Sequence, residues 1–488
     1  MEVIGAQSTS LGDLPTDDLL VHGRAALEWI ASYLDHPERV SVLSQVVPGE
    51  IREMLPGSPP REPEPLDTIL RDFERQILPG ITHWNHPGFF GYFATSSSVP
   101  GMIGELLVSA LDVKAMLWRT SPAATELELV VTDWLRQMLG LGGGWFGFLN
   151  DTASISSLLA LAAAREAKPE LAIRERGMAG RDDLPALRIY TSSHAHSSID
   201  KAALALGFGL DNLVRVEVDD EFRMRPDALA QAIADDRRRG FLPLACVATV
   251  GTTSTTSVDP VPAIARICAE ESLWLHVDGA YGGIAAIVPE MRSILDGVEH
   301  ADSLVVNPHK WLFTPFDCSA FFTRKPDVLE RAFSLVPEYL TTPERESVVD
   351  LMNYGVQLGR RFRALKLWMV IRAFGTAGLA ARIRAHCALA RNFADWVCAN
   401  PDWQVAAPVT FSLVCFRYAP GGVHKEALNE LNARILERVN ATGEVFLSHT
   451  KLDGRYTLRL AVGNIRTEER HVRRAWQIIQ ESVQRERS

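Results

Sequence analysis

The chain has 488 residues, of which 47% are hydrophobic and 23% are charged. These fractions are ordinary for a globular protein, so they exclude a disordered or fibrous chain, and the length predicts about three domains. The formal net charge of −10 gives no reason to expect binding to nucleic acid or to an anionic membrane.

The six cysteines are scattered and show neither CxxC nor zinc-site spacing. This pattern is typical of reduced thiols in a cytoplasmic protein, and we expect no metal site. The first 13 residues lack the basic region and apolar core of a signal peptide. No apolar run approaches the roughly 18 residues of a membrane span, so a transmembrane helix is not expected.

The first predicted elements are an amphipathic helix and an irregular segment. Residues 16–34 place Leu19, Leu20, Leu27 and Ile30 at helical spacing. Repeated prolines predict that residues 46–65 have no regular structure. Residues 83–93 then concentrate aromatic side chains, which indicates either a core cluster or the wall of an apolar pocket.

A strand, turn and helix are predicted between residues 145 and 164. The apolar run 145–149 ends in Asn150 and small hydroxyl residues, and an alanine-rich helical pattern follows. The free N–H groups at the start of that helix could bind an anion. An ordinary N-cap explains the same serine and threonine without any ligand.

The next segments alternate between strand and helix. Apolar strands are predicted at 188–191, 244–250 and 273–277, with helices at 199–206 and 260–271 between them. This rhythm predicts a mostly parallel sheet. His196 and Thr253 follow two of these strands, where they could contact a ligand or simply cap a turn.

Asp278 and Lys310 each follow an apolar strand, and the 32 residues between them suffice for one crossover between neighbouring strands. Open α/β sheets bind ligands at such strand ends. An amine and a carboxylate placed together there suit pyridoxal 5′-phosphate, which needs a lysine for covalent attachment and an acid beside its ring nitrogen. A lysine whose stem covers apolar surface is the alternative for Lys310 alone.

The remainder is predicted to be a loop and a small domain. Residues 334–350 show no clear period, as in loops that close over active sites. Helical patterns at 379–399, 425–440 and 468–485 then alternate with strand patterns at 411–418, 444–447 and 456–461. We predict an N-terminal helical segment (1–98), a large cofactor-binding domain (99–367) and a small C-terminal α/β domain (368–488).

Two sequence motifs resemble a known family. The run HVDGAYGG from His276 to Gly283 and the run NPHKWL from Asn307 to Leu312 are similar to group II pyridoxal-phosphate-dependent decarboxylases, most closely the aromatic-L-amino-acid decarboxylases. The resemblance extends from about Thr82 to the helix after Arg466. It implies an α/β fold of the PLP-dependent transferase type I, pyridoxal 5′-phosphate as cofactor, and a homodimer with the active site near the dimer interface.

The resemblance also implies residue roles. Lys310 would hold the cofactor, Asp278 would keep its ring nitrogen protonated, His196 would lie over the ring, and Tyr339 would protonate the substrate. The implied cofactor-binding residues are Thr152, Ala153, Ser154, His196, Thr253, Asp278, Ala280, Asn307, His309 and Lys310. The implied substrate-binding residues are Trp84, Tyr92, Phe93, Thr95 and Met116.

The chain departs from the family pattern at three positions. Ala94 stands where animal members typically have proline, and Met116 stands where they have an aromatic residue. Both changes could alter the ring size that the pocket accepts. Asp151 stands where relatives commonly have glycine. Its carboxylate would repel a phosphate, so we expect it to point away or to cap the helix.

The resemblance predicts decarboxylation of tryptophan, tyrosine, phenylalanine or dihydroxyphenylalanine to the amine and carbon dioxide. Aldehyde-forming relatives replace the loop tyrosine or the stacking histidine, whereas this chain keeps Tyr339 and His196. The alternatives are an aromatic aldehyde synthase, a group II decarboxylase for histidine or an acidic amino acid, and a catalytically inactive binding protein of the same fold.

Overall fold

The structure is a computed structural model, and it describes residues 12–335, 344 and 347–487. Its strands are β1 (Phe89–Phe90), β2 (Phe146–Asn150), β3 (Leu187–Ser192), β4 (Leu213–Val216), β5 (Leu242–Thr249), β6 (Trp274–Asp278), β7 (Ser303–Val306), β8 (Ser319–Thr323), β9 (Trp403–Val405), β10 (Leu413–Tyr418), β11 (Phe446–Leu452) and β12 (Arg455–Ala461). Its α-helices are α1 (Thr16–Asp35), α2 (Glu50–Met54), α3 (Leu66–Asp72), α4 (Val99–Leu111), α5 (Pro122–Met138), α6 (Ala153–Glu166), α7 (Ile173–Arg176), α8 (Ser198–Ala205), α9 (Pro226–Arg238), α10 (Val261–Glu270), α11 (Pro308–Trp311), α12 (Pro326–Phe333), α13 (Ala364–Cys398), α14 (Lys425–Ala441) and α15 (Glu469–Arg487).

The larger sheet has seven strands in the order β2-β8-β7-β6-β5-β3-β4. The strand pairs from β7 through β6, β5 and β3 to β4 are all parallel, and β8 runs antiparallel to both of its neighbours. These strands are short apolar runs buried on both faces, as expected for a parallel sheet covered by helices. The predicted mostly parallel sheet is therefore confirmed.

Strands β6 and β7 are neighbours in this sheet, with Asp278 in register with Val305. Asp278 is the last residue of β6, and Lys310 lies in the short helix α11 that follows β7. The predicted arrangement, in which the two residues follow adjacent parallel strands, is confirmed. Their side chains therefore lie at the same edge of the sheet.

The smaller sheet has five strands in the order β1-β11-β12-β10-β9. Its core includes side chains of α13, α14 and α15, which confirms a small α/β unit near the C-terminus. Strand β1 comes from the N-terminal part of the chain and pairs parallel with β11. Neither β1 nor β9 was predicted, because each is only two or three residues long. The three-part domain division remains a proposal.

The N-terminal prediction was correct for α1 and wrong for part of the next segment. Helix α1 spans Thr16–Asp35, against the predicted 16–34. Within residues 46–65, predicted to be wholly irregular, α2 forms one short helix at Glu50–Met54. It fits between Pro48 and Pro56, so the prolines delimit the helix instead of breaking it.

Helix α13 is long and apolar enough to cross a membrane by length and composition, the one such helix among the described residues. Its backbone leaves the helical region at Gly375, where φ is 63° and ψ is 164°. It contacts α4, α5 and the small sheet, and many of its side chains are buried in the two cores. These contacts identify it as a core helix of the fold.

Candidate active site

A cavity of about 210 Å³ lies at the carboxyl ends of the large sheet's parallel strands. All ten residues predicted to bind the cofactor line it: Thr152, Ala153, Ser154, His196, Thr253, Asp278, Ala280, Asn307, His309 and Lys310. Residues separated by up to 158 positions along the chain therefore meet at one point. Thr249, Gly251, Tyr281 and Phe316 also line the cavity and were not singled out from the sequence.

Lys310 is partly buried within the four-residue helix α11, and its amide donates to the Asn307 carbonyl at 3.0 Å. Burial lowers the pKa of the Lys310 amine, and the negative charge of Asp278 partly opposes this shift. The shift increases the fraction of neutral amine at a given pH. The neutral form is the one that can attack a carbonyl carbon.

Asp278 is 5% exposed, and its Oδ1 accepts a hydrogen bond from the Ala280 amide at 3.0 Å. Thr249, the last residue of β5, lies in register with it on the neighbouring strand. A buried carboxylate costs free energy unless it is paired with a cation or a donor. Asp278 is therefore placed to receive a proton-bearing ligand group inside the cavity.

One wall of the cavity is built from stacked aromatic rings. Phe93 stacks on Tyr281 with ring centroids 3.9 Å apart, and Tyr281 stacks on Trp311 at 4.7 Å. The Trp311 indole N–H donates to His386 at 3.1 Å, and Tyr281 shares a 2.5 Å hydrogen bond with the hydroxyl of Ser412. Hydrogen bonds at both polar ends fix the stack, so the wall is rigid.

Helix α6 points its N-terminus at the cavity. Thr152 is the N-cap residue, but its side chain makes no capping hydrogen bond to the helix. The amides in the first turn have no acceptor within the helix, and the positive end of the helix dipole lies there. Ala153 and Ser154 therefore offer backbone donors to a negatively charged ligand group.

Asp151 does not cap helix α6, because its side chain accepts hydrogen bonds from Thr152, the N-cap residue, and from no amide of the helix. Its Oδ1 accepts from the Thr152 amide at 2.5 Å and from the Thr152 hydroxyl at 3.0 Å. Its Oδ2 accepts from Gln357 Nε2 at 3.0 Å. The carboxylate is thus held next to the anion-binding amides, and its charge opposes that of any anion bound there.

His309 presents a neutral imidazole to the same end of the cavity. Its Nδ1 accepts from the Cys318 amide at 2.9 Å, so its proton resides on Nε2. Burial, together with the positive charge of Lys310, lowers the pKa of His309 to about 3. The ring is therefore an uncharged hydrogen-bond donor at neutral pH.

His196 lies at the start of α8, and its Nδ1 accepts from the Ser198 amide at 3.1 Å. Burial lowers the pKa of His196, with a smaller opposing effect from Asp278. The hydrogen bond requires the tautomer with a proton on Nε2. His196 is thus a neutral, oriented ring at one side of the cavity.

Two buried polar atoms that belong to cavity-lining residues have no hydrogen-bond partner among the described residues. They are the hydroxyl oxygen of Thr249 and the side-chain oxygen of Asn307. Buried polar atoms are nearly always hydrogen-bonded, so each indicates a missing partner. A polar ligand in the cavity would supply one. Thr249 could have been found from the sequence because it ends a strand beside Asp278.

Arg459 links the small sheet to the cavity and was missed from the sequence. Its guanidinium donates to the carbonyls of Thr253 at 2.7 Å and Ser254 at 3.0 Å. The same group lies over the Phe93 ring, 5.5 Å from its centroid. Arg459 therefore contacts both the loop at Thr253 and Ser254 and the Phe93 ring of the aromatic wall.

The predicted substrate residues are only partly brought together. Phe93 lines the cavity, whereas Trp84, Tyr92, Thr95 and Met116 do not. Trp84 and Tyr92 stack on each other at 5.6 Å and are 38% and 53% exposed. Tyr339 lies outside the described residues.

Comparison with known proteins places this site in a family. Residues 48–419 match the pyridoxal-dependent decarboxylase conserved domain. The chain belongs to the pyridoxal-dependent decarboxylase family. It is 41% identical to tyrosine decarboxylase 4 of Petroselinum crispum, over 96% of this chain and 94% of that protein.

The chain is also similar to a protein named for an aldehyde product and to a crystal structure that contains PLP. Phenylacetaldehyde synthase of Arabidopsis thaliana is 40% identical over 97% of both chains. The crystal structure of Oryza sativa TDC with PLP and tryptamine superimposes with a TM-score of 0.94 at 37% identity, covering 98% of this chain and 99% of that one. The fold is thus that of the pyridoxal-phosphate enzymes of type I, and the protein is a carboxy-lyase that uses pyridoxal phosphate.

The cavity residues fit this cofactor. Pyridoxal phosphate carries an aldehyde, a ring nitrogen and a phosphate, and the cavity offers a lysine amine, a buried carboxylate and a helix N-terminus. The two unpartnered polar atoms of Thr249 and Asn307 lie among these groups. The chemistry of the lining therefore matches the aldehyde, the ring nitrogen and the phosphate of the cofactor.

Proposed function

We propose that the protein decarboxylates an aromatic L-amino acid to the corresponding amine and carbon dioxide. One observation carries the proposal: a single cavity collects all ten expected cofactor residues and places the Phe93 ring beside the Lys310 amine. The similarity to tyrosine decarboxylase 4 over nearly the whole chain supports the same reaction class.

In this proposal three side chains hold the cofactor ring. Lys310 supplies the amine that binds the aldehyde carbon, Asp278 binds the protonated ring nitrogen, and His196 packs on the ring face. Thr253 and Ala280 complete the contacts. Bound there, the cofactor would supply an electron-withdrawing ring for the electron pair that carbon dioxide leaves on the substrate. Asp278 sustains that effect because its negative charge keeps the ring nitrogen protonated.

The phosphate in this proposal lies at the N-terminus of α6. Ala153 and Ser154 donate from their amides and from the Ser154 hydroxyl, and His309 donates from Nε2. Thr152, whose amide and hydroxyl donate to Asp151, lies beside the phosphate. Asn307 binds through its side chain. All of these donors are uncharged at neutral pH, so the affinity depends on their number and on the helix dipole.

An aromatic substrate is supported by the apolar wall of Phe93 and Tyr281. A flat ring gains from stacking there, and among the described residues that line the cavity Lys310 is the one cation available to an acidic side chain. We propose Trp84, Tyr92, Thr95 and Met116 as further substrate contacts. Tyr339 is proposed to protonate the substrate carbon after carbon dioxide leaves.

A homodimer would reconcile these substrate contacts with their position outside the cavity. Helix α4 exposes Val99, Ile103, Leu106, Leu107 and Leu111, each at least 45% exposed. Helix α1 has no buried residue and exposes four large apolar side chains. Apolar surfaces of this kind are usually covered by a partner. A mass of one chain in light scattering at micromolar concentration would contradict the dimer.

We also propose a cytoplasmic location. All six cysteines are free thiols and five of them are buried, as is usual where disulfides do not form.

The second candidate is an aromatic aldehyde synthase, since Phenylacetaldehyde synthase is among the similar proteins. Decarboxylation to the amine needs only a proton at the substrate carbon, whereas aldehyde formation consumes oxygen and releases ammonia and peroxide. The retained Tyr339 favours the amine.

The deciding experiment incubates the cofactor-loaded protein separately with tryptophan, tyrosine, phenylalanine and dihydroxyphenylalanine. Amine, aldehyde and hydrogen peroxide are assayed together. Amine without peroxide is the expected result and identifies the substrate. Aldehyde with equimolar peroxide would replace the proposal with the second candidate, and no product from any of the four would contradict both.

A further inference from the structure

A second, larger cavity lies at the opposite ends of the same strands. It has a volume of about 560 Å³, within the range of about 300–1,000 Å³ that is usual for small-molecule sites. Trp274 and Leu275, the first residues of β6, line it, whereas Asp278 ends that strand on the active-site side. At about 3.3 Å per residue, the two sites are separated by about 13 Å of strand.

The floor of this cavity is apolar and buried. Leu244, Cys268, Leu273, Trp274 and Leu275 are all at most 6% exposed. The Trp274 indole N–H donates to the Ser303 hydroxyl at 3.0 Å, which fixes the ring at the start of two adjacent strands. The bottom of the cavity is therefore apolar and held in place by the sheet.

The rim of the cavity is cationic. Lys325 pairs with Asp302 at 2.7 Å and lies over the Trp274 ring, 5.3 Å from its centroid. Lys168 and Arg324 form no ion pair with a carboxylate in the part of the chain that the structure describes. Their hydrogen bonds go to backbone carbonyls, Lys168 to Ser272 at 3.4 Å and Arg324 to Glu299 at 2.5 Å.

Asp302 is the one carboxylate among the lining residues, and it is already engaged. Besides Lys325, it accepts from the Leu275 amide at 2.8 Å. Lys168 follows helix α6, whose carboxyl end offsets part of its charge. Arg324 makes no ion pair with a carboxylate of the described residues, so the rim has surplus positive charge facing an apolar floor.

We propose that this cavity binds a small organic anion, with its apolar body on the floor and its oxyanion head between Lys168 and Arg324. The ligand class is an aromatic or aliphatic phosphomonoester or carboxylate. The site is separate from the decarboxylation site and does not depend on the proposed function.

The test titrates the cofactor-loaded protein calorimetrically with phenyl phosphate, benzoate, inorganic phosphate and benzyl alcohol. Cofactor loading matters because it fills the phosphate-binding end of the active site. Phenyl phosphate or benzoate should bind at least tenfold more tightly than inorganic phosphate and benzyl alcohol, and which of the two binds better identifies the head group. Equal affinity for either control compound would overturn the proposal.

Two variants in the cavity and one control variant test whether the ligand binds in this cavity. Arg324→Gln should weaken it at least fivefold, and Ala269→Phe should abolish it by filling the cavity without changing any charge. Arg266→Gln serves as the matched control, because Arg266 is exposed on the lining helix α10 but does not line the cavity. Binding that is unchanged in both cavity variants, or no binding to the wild type at millimolar concentration, would overturn the proposal.

Discussion

The rings of Phe93 and Tyr281 lie almost parallel, with centroids 3.9 Å apart and planes inclined by 13°. The amine nitrogen of Lys310 lies 5.5 Å from the Phe93 centroid. Phe93 comes from the N-terminal part of the chain, whereas Tyr281 and Lys310 follow neighbouring central strands. This contact therefore ties the aromatic wall to the proposed catalytic amine.

Replacing Phe93 by leucine should affect both stability and substrate binding. Loss of the stacked ring is expected to cost about 1–2 kcal/mol of unfolding free energy. The Michaelis constant for the aromatic substrate should rise about threefold or more, because Phe93 is the expected substrate residue inside the cavity. Phe416→Leu is the matched control, since Phe416 is fully buried in the core of the small sheet. An equal Michaelis constant in the two variants would refute this role.

Replacing Lys310 by alanine should remove covalent cofactor attachment. The visible absorbance band of the lysine-bound cofactor should disappear, and turnover should fall by about a thousandfold or more. Absorbance spectra and product assays measure the two effects. Lys451→Ala, at an exposed lysine of β11, should leave both unchanged. A Lys310→Ala protein that kept the band would show that another amine holds the cofactor.

Replacing Asp151 by asparagine should tighten cofactor binding. The Asp151 carboxylate lies beside the amides proposed to bind the phosphate, and removal of one like charge is worth about 1 kcal/mol in this setting. The dissociation constant of pyridoxal phosphate, measured by fluorescence titration, should fall about fivefold at low salt. The gain should shrink at high ionic strength. Asp296→Asn, at an exposed aspartate, provides the comparison, and weaker binding in the Asp151 variant would disprove the repulsion.

Acid should destabilise the fold through His309. An unfolded histidine binds a proton below about pH 6.5, whereas folded His309 stays neutral down to about pH 3. The unfolded state therefore binds more protons between these values, and stability falls as the pH drops. From pH 7.5 to pH 5 this group alone should remove about 2 kcal/mol of unfolding free energy.

The His309→Gln variant tests this pH dependence. Glutamine is polar and similar in length to histidine but does not titrate, so the unfolding free energy of the variant should fall less between pH 7.5 and pH 5. Denaturant unfolding of the cofactor-free proteins measures the difference. His300→Gln, at an exposed histidine, should follow the wild type. Parallel pH profiles for the His309 variant and the wild type would contradict the assigned cause.

The positions of the central strands and of the residues at their ends were predictable from the sequence. Buried parallel strands are short apolar runs, and glycine, proline or a polar residue terminates them, so Asp278 and Lys310 could be placed at strand ends from local pattern alone. Neighbouring parallel strands run in the same direction, so their carboxyl ends lie at the same edge of the sheet. The motif from Asn307 to Leu312 then indicated the cofactor, because the chemistry of pyridoxal phosphate requires only a few residue types, among them a lysine and a carboxylate.

The tertiary structure alone decided the contacts between distant segments. Nothing in the sequence around Arg459 indicates that its guanidinium donates to the carbonyls of Thr253 and Ser254. Nothing in the sequence around Phe89 indicates a strand that pairs with β11. The cationic rim of the second cavity also combines residues from separate elements. Local periodicity reports which side of an element is buried, but the partner that buries it depends on the packing of the whole chain.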